Sequence, residues 1–299
     1  MSTNPQTVLG PMRLPFLILT PACVLVGAGT AFWITGQFHL GNFLIVLLGA
    51  LGTHISVNAL NEYFDFRSGL DLRTQRTPFS GGSGTLPAQP GAARNALATG
   101  LIALAIVGIV GIYFFYQRGW AILPLGLLGM VVIYTYTNWL LRNPFGSLVA
   151  PGLGFGTLMV MGTHFALTGE YSWTAFVASL VPFFLVSNLL LLNQFPDVEA
   201  DKTVNRRHFP ILIGRKASAR IYAAFLAGAY LAIVAGVALR LLPVWALLGL
   251  GTLPLAFKAA QTALQHPDDL PRLMPALGQN VLINILTPLL LAIGLFIAG

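Results

Sequence analysis

Long apolar runs dominate this chain, near residues 14–35, 42–62, 95–116, 120–138, 148–168, 173–194, 218–239, 243–262 and 277–298. Roughly 20 consecutive apolar residues match the hydrocarbon thickness of a bilayer. In hydrocarbon, every backbone N–H and C=O must also be bonded within the chain. Runs of this length therefore predict helices, and about nine of them fit into 299 residues with short connections. Composition agrees: only 8% of residues are charged and 56% are hydrophobic, whereas a soluble domain is about 25% charged. Mean hydropathy is +0.78. The expectation is an all-α, polytopic membrane protein: one bundle, forming a single domain over residues 1–299. Cys23, the only cysteine, lies in the first run and reads as a small buried apolar residue. The run from Leu14 is too long for the apolar part of a cleaved signal peptide.

A net charge of +7 can signal a nucleic-acid partner, but its distribution argues against one. With the N-terminus assigned to the cytoplasm, the inner loops and span ends carry Arg13, Arg67, Arg73, Arg76, Arg94, Arg142, Lys202, Arg206, Arg207, Arg215, Lys216, Arg220, Lys258 and Arg272. The outer side carries only Arg118 and Arg240. Fourteen against two is the asymmetry of a membrane protein with its basic loops in the cytoplasm. It predicts an inner-membrane protein of bacterial type with an odd number of spans.

Against that apolar background, six of the nine acidic residues fall in two short clusters. The first runs Asn61-Glu62-Tyr63-Phe64-Asp65 and on to Asp71. The second runs Asn193-Gln194-Phe195-Pro196-Asp197-Val198-Glu199-Ala200-Asp201. Each opens a long inner loop, over 63–94 and 195–217, at the end of spans 2 and 6. Structureless loops of this length are uncommon unless functional. An Asp at the centre of a membrane helix costs roughly 2.5–3.5 kcal/mol, so acids beside membrane helices mark function. The four-span offset and the shared Asn-x-x-x-Asp spacing also suggest two copies of one unit.

On a helix, His54, Asn58, Asn61 and Asp65 share one face. Asn193, Asp197 and Asp201 repeat the spacing, with Pro196 a point where the helix can break. Glu199 points away from its neighbours. Two facing sets of carboxylate and amide oxygens repel unless a cation lies between them. Mg²⁺ suits such a set, because it takes oxygen ligands from one or two carboxylates and substrate phosphates. Arg67, Arg73 and Arg76 around the first cluster, and Lys202, Arg206 and Arg207 after the second, can clamp phosphate oxygens or meet anionic lipid headgroups. Ser80-Gly81-Gly82-Ser83-Gly84 is either an anion cradle of backbone N–H groups or a plain turn.

These two motifs resemble the signatures of the UbiA superfamily of intramembrane prenyltransferases. The stretches NEYFDFRSGLD and DVEADKTVNRRHFPILIG are most similar to the branch containing 1,4-dihydroxy-2-naphthoate prenyltransferases of menaquinone biosynthesis. The resemblance implies a nine-helix bundle around a central cavity, open sideways to lipid and capped by cytoplasmic loops. Carried over by motif, Asn61, Asp65 and Asp71 would hold one Mg²⁺ on the diphosphate of an isoprenoid donor, and Asp197 and Asp201 a second. Asn193 and the loop cations would bind the diphosphate. Glu62 in place of a common Asp, and His208-Phe209-Pro210 in place of a Thr-Leu-Ala-like run, depart from the pattern.

The implied reaction moves a polyprenyl chain to a hydroxylated aromatic acceptor. Dihydroxynaphthoate is the first expectation; 4-hydroxybenzoate, homogentisate and a specialised ring stay open. Tyr134 and Tyr136, near the inner end of span 4, are candidates to shield an allylic cation through cation–π contact or to sit in an interfacial belt; the resemblance favours a tyrosine here, and Tyr134 is the one expected. Asn58, His54 and His164 can orient acceptor hydroxyls, although a histidine inside a bundle often bonds only a neighbouring helix. A transporter binding an ion at mid-membrane is the competing class, and clusters at span ends on one side argue against it.

Overall fold

In the computed structural model, which describes residues 5–74, 76–136 and 139–299, all regular structure is helical. A short α1 (Gln6–Met12) precedes α2 (Leu19–Thr35) and α3 (Leu40–Arg67). A loop holding the small α4 (Thr85–Ala88) leads to α5 (Ala93–Arg118) and α6 (Leu123–Tyr136). Next, α7 (Pro144–Gly152) and α8 (Met159–Thr168) are fused into one crossing by a π-helical segment, Leu153–Leu158. Then come α9 (Trp173–Lys202), the small α10 (Phe209–Leu212) and α11 (Gly214–Ala238). A 3₁₀ stretch, Val244–Thr252, runs into α12 (Leu253–Gln265), and α13 (Leu270–Ala298) closes the bundle.

Eight segments are long and apolar enough to cross a membrane, but the one from Pro90 to Tyr136 has 47 residues, more than twice a single crossing. It breaks at Gly119, whose φ of 71° lies in a region that only glycine enters readily. The side chains show the reversal. Asn95 bonds Thr7 at one end of the bundle (2.9 Å). Arg118 bonds the carbonyls of Ala166 and Leu167 at the other. Tyr136 returns to the first end, where it lines the acidic pocket. The described residues therefore make nine crossings.

Helix α9 runs through the middle, with Leu185, Val186, Leu192 and Phe195 wholly buried. It packs along α11 as α3 packs along α5, so the second and third spans pair as the sixth and seventh do. Helix α13 lies against α2 and against Val244–Thr252. Helix α6 is different: none of its residues is buried, and it forms a thin wall between cavity and surroundings.

Two expected loops are shorter than the sequence suggests. Helix α3 continues to Arg67, so Asn61 and Asp65 are helical. Helix α9 continues through Pro196 to Lys202. A proline in a helix interior removes one N–H and crowds the preceding turn. Helix α9 nevertheless continues, and Arg215 Nε bonds the neighbouring carbonyl of Phe195 at 2.8 Å.

Candidate active site

The helical spacing brings the two polar faces together. Asn61 and Asp65 from α3 and Asn193, Asp197 and Asp201 from α9 line one pocket of about 120 Å³, joined by Asp71 from the turn after α3. That turn is tight, with Leu70 N–H donating to Asp65 O at 3.0 Å, which folds Asp71 back under the helix end. A cation of the chain itself links the clusters. Arg206 Nη2 lies 2.5 Å from Asp65 Oδ1 and Arg206 Nη1 lies 3.0 Å from Asp201 Oδ1. His208 Nε2 meets the second oxygen of Asp201 at 2.9 Å. Burial works against the charge on Arg206, but the Asp65 and Asp201 carboxylates outweigh it and hold the guanidinium above its ordinary pKa. Asp71 is pushed the other way for a carboxylate, up to about 7, by burial first and then by Asp65 and Glu62.

Several oxygens in this pocket have no partner: Asp71 Oδ2, Asp197 Oδ1 and Asn193 Oδ1 are buried and unbonded. A buried acceptor left unpaired costs about 1–3 kcal/mol, so the pocket as built has room for a cation that accepts oxygen ligands. Among the described residues no three His, Cys, Asp or Glu side chains converge into a finished metal cage.

Beside this pocket lies a larger cavity of about 850 Å³, mostly apolar. The two share a neck lined by Arg13, Asn61, Phe79, Gly82, Tyr136 and Asn193. Small residues leave the large cavity open: a side chain added at Gly111, Gly126, Gly129, Gly154 or Gly162 would meet nothing within 4 Å, and all five line it. On the α3 side, His54 Nδ1 bonds Thr20 Oγ1 at 2.8 Å, and its ring stands edge-on to Phe155. Asn58 Nδ2 donates to Met12 O at 3.0 Å. Arg76 also lines this cavity, at its rim.

Other expected site residues lie elsewhere. Tyr134 is 84% exposed and lines neither cavity, a correction that helix phase explains. Two residues turn a helix by about 200°, so Tyr136 facing inward sends Tyr134 outward. His164 bonds Thr30 on α2 at 3.0 Å and does not reach the cavity; it ties two helices together. Arg67, Arg73, Lys202 and Arg207 are exposed and line neither cavity, and Lys202 pairs with Glu199. Two contributors fall outside the expected set, Arg13 and His208, whereas Arg206, expected to clamp phosphate, instead bridges Asp65 and Asp201. Arg206 stood in a basic run with nothing to single it out, and Arg13 reaches the site only because α1 folds under α3.

A model of the UbiA prenyltransferase family matches residues 21–286. The 1,4-dihydroxy-2-naphthoate octaprenyltransferase of Bacillus subtilis (strain 168) is 29% identical over 260 residues, covering 86% of this chain and 81% of that protein. The apo structure of a UbiA homolog from Aeropyrum pernix K1 superposes with a TM-score of 0.73 at 20% identity, covering 96% of this chain and 98% of that one. A UbiA homolog from Archaeoglobus fulgidus, bound to GPP and Mg²⁺, superposes with a TM-score of 0.64 at 14% identity, covering 94% and 98%. At these identities the two structures speak for the fold alone. The family match, however, takes in both acidic clusters and residues of all nine crossings, and the chain belongs to the UbiA prenyltransferase family, enzymes that transfer prenyl groups.

Proposed function

We propose that the protein carries out Mg²⁺-dependent transfer of an isoprenoid chain from a polyprenyl diphosphate to a hydroxylated aromatic acceptor, with 1,4-dihydroxy-2-naphthoate the foremost acceptor. The observation that carries this reading is the pair of joined cavities: an oxygen-lined pocket for a diphosphate, opening through an aromatic neck into an apolar chamber for the chain. The donor's first carbon then lies at the neck. Acceptor choice is supported by the name of the Bacillus subtilis relative, and Mg²⁺ by the unpartnered oxygens here and by the ion bound in the Archaeoglobus fulgidus homolog.

In this scheme Asn61, Asp65 and Asp71 hold one ion and Asp197 and Asp201 another. A bound Mg²⁺ supplies charge neutralisation to the departing diphosphate. Arg13 and Arg206, already at the pocket, add fixed positive charge to the same oxygens. The bond from C1 to oxygen breaks with its electron pair leaving on the diphosphate. Tyr136 and Phe79 at the neck face the electron-poor allylic carbon, a cation–π contact worth about 0.5–2 kcal/mol. An electron-rich ring carbon bonds C1 and then loses its proton. His54, whose Nδ1 is engaged by Thr20, keeps Nε2 for an acceptor hydroxyl, and Asn58 stands one turn closer to the neck. The acid-lined end faces the cytoplasm of a bacterial-type inner membrane.

Purified protein given labelled geranylgeranyl diphosphate and a panel of acceptors tests this. Prenylated dihydroxynaphthoate is the expected product. Prenylation of 4-hydroxybenzoate alone would overturn the acceptor, and diphosphate release with no ring product would point to a specialised ring.

A further inference from the structure

Glu62 is adjacent to Asn61 and, four residues after Asn58 and three before Asp65, lies at the edge of the same face of α3. It is fully buried, yet it lines neither cavity. Its carboxylate is instead saturated by two separate pieces of chain. Arg13 reaches Oε1 through Nε and Nη2, both at 2.9 Å. The backbone N–H of Ser83 donates to the same oxygen, and Ser83 Oγ donates to Oε2 at 2.9 Å. One buried acid thus binds the N-terminal segment to the glycine-rich loop.

That loop is built to be pressed flat. Gly81, Gly82 and Gly84 have φ of 83°, 73° and 73°, all in the left-handed region. A side chain on Gly82 would come within 3.1 Å of Glu62 Oε1 and 3.4 Å of Asp71 Oδ1. On the opposite side, one on Gly84 would overlap the Arg76 guanidinium, 1.9 Å from Nη1. The glycines therefore sandwich the loop between Glu62 and Asp71 on one side and Arg76 on the other. Arg13, and Gly82 beside the Ser83 that Glu62 holds, are shared by both cavities.

We infer that Glu62 is a positioning residue: it latches Arg13 and the Ser80–Gly84 loop into a seal over the neck, so that the allylic carbon meets the acceptor ring rather than water. The competing reaction is simple hydrolysis. The C1–oxygen bond breaks, its electron pair leaves on the diphosphate, water oxygen bonds C1, and the water proton passes to solvent, giving a prenyl alcohol. Excluding water from a reactive intermediate is one of the things a closed site does. This inference rests on prenyl transfer from a diphosphate donor and is independent of which ring accepts the chain.

The test measures prenyl alcohol and prenylated ring together, using full-length protein, Mg²⁺, labelled geranylgeranyl diphosphate and dihydroxynaphthoate. Loss of hydrogen bonds to a charged group in Glu62→Gln should raise the alcohol-to-ring product ratio about tenfold. Ser83→Ala should raise it in the same direction by a smaller factor, and Ser83→Thr, which keeps the hydroxyl, should restore the wild-type ratio. A merely structural role lowers both products and leaves the ratio unchanged, and that result overturns the inference. If Glu62→Gln does not fold, the Ser83→Ala and Ser83→Thr pair decides the question. If wild type makes no ring product, the acceptor proposal fails. The latch is then judged by alcohol formed without acceptor, which must rise in Ser83→Ala for the inference to stand.

Discussion

At the scale of single residues, the acids divide by what they touch. Asp65 and Asp201 are held by Arg206, whereas Asp71 and Asp197 each keep an unbonded oxygen in the pocket. Glu199, two residues from both Asp197 and Asp201, is 75% exposed at its side chain and pairs with Lys202. Replacing a carboxylate by an amide at Asp65 or Asp197 removes charge where diphosphate and cation must meet. Asp65→Asn and Asp197→Asn should each lower turnover by about two orders of magnitude or more. Glu199→Gln should change it less than about twofold, as is usual for a solvated ion pair. Steady-state assays on variants eluting as the native species check this, and a Glu199→Gln as damaging as Asp197→Asn would refute the assigned facing of the second cluster. The Asn-x-x-x-Asp spacing was legible because the helix repeat converts it directly into a shared face. Arg13 was not legible as a site residue, nor was the bridge Arg206 makes between Asp65 and Asp201, since both depend on tertiary folding. Tyr134 and Tyr136 could not be told apart in the sequence, because α6 is apolar all round and has no polar stripe to reveal its phase.

At the scale of elements, the crossing from Pro144 to Thr168 shows what apolar runs conceal. Its middle unwinds into a π-helical turn over Leu153–Leu158, just after Pro151, and Gly152 and Gly156 press against the backbone of Phe183 on α9. A side chain at Gly156 would sit 2.3 Å from Phe183 N, whereas one at Gly154 would meet open cavity. Gly156→Ala should therefore destabilise the protein by about 1–3 kcal/mol, the usual cost of overpacking. Gly154→Ala should leave thermal unfolding in detergent near that of wild type. Equal melting temperatures for the two variants would contradict the close α7–α9 approach. The number and rough limits of the spans were readable from run length. The π-helical turn was not, because it answers to a contact between helices. The continuation of α9 past Pro196 was equally hidden, since a proline can kink a helix without ending it.

At the scale of the whole molecule, charge asymmetry and cavity shape have different origins. Fourteen of the sixteen lysines and arginines lie at the acid-lined end by the sequence assignment, which supports a cytoplasmic site. Cys23 is fully buried, so an introduced cysteine is the reactive thiol. A membrane-impermeant maleimide should label Leu239→Cys in intact cells and Leu72→Cys only after lysis, both positions being well exposed. The reverse pattern would invert the orientation. The larger cavity was not legible, because its volume comes from absent side chains on three different crossings. At the junction of the two cavities, the proposed reaction requires carboxylates from two helices and a substrate diphosphate to share one site through a divalent cation. Two unit charges 4 Å apart at an effective dielectric of 20 interact by about 4 kcal/mol, and several such repulsions must be offset. The direct measurement is prenylated product formed by purified protein after EDTA treatment, with and without added Mg²⁺. No product is expected after chelation, with recovery on adding Mg²⁺; full turnover in metal-free buffer would contradict a shared-cation site.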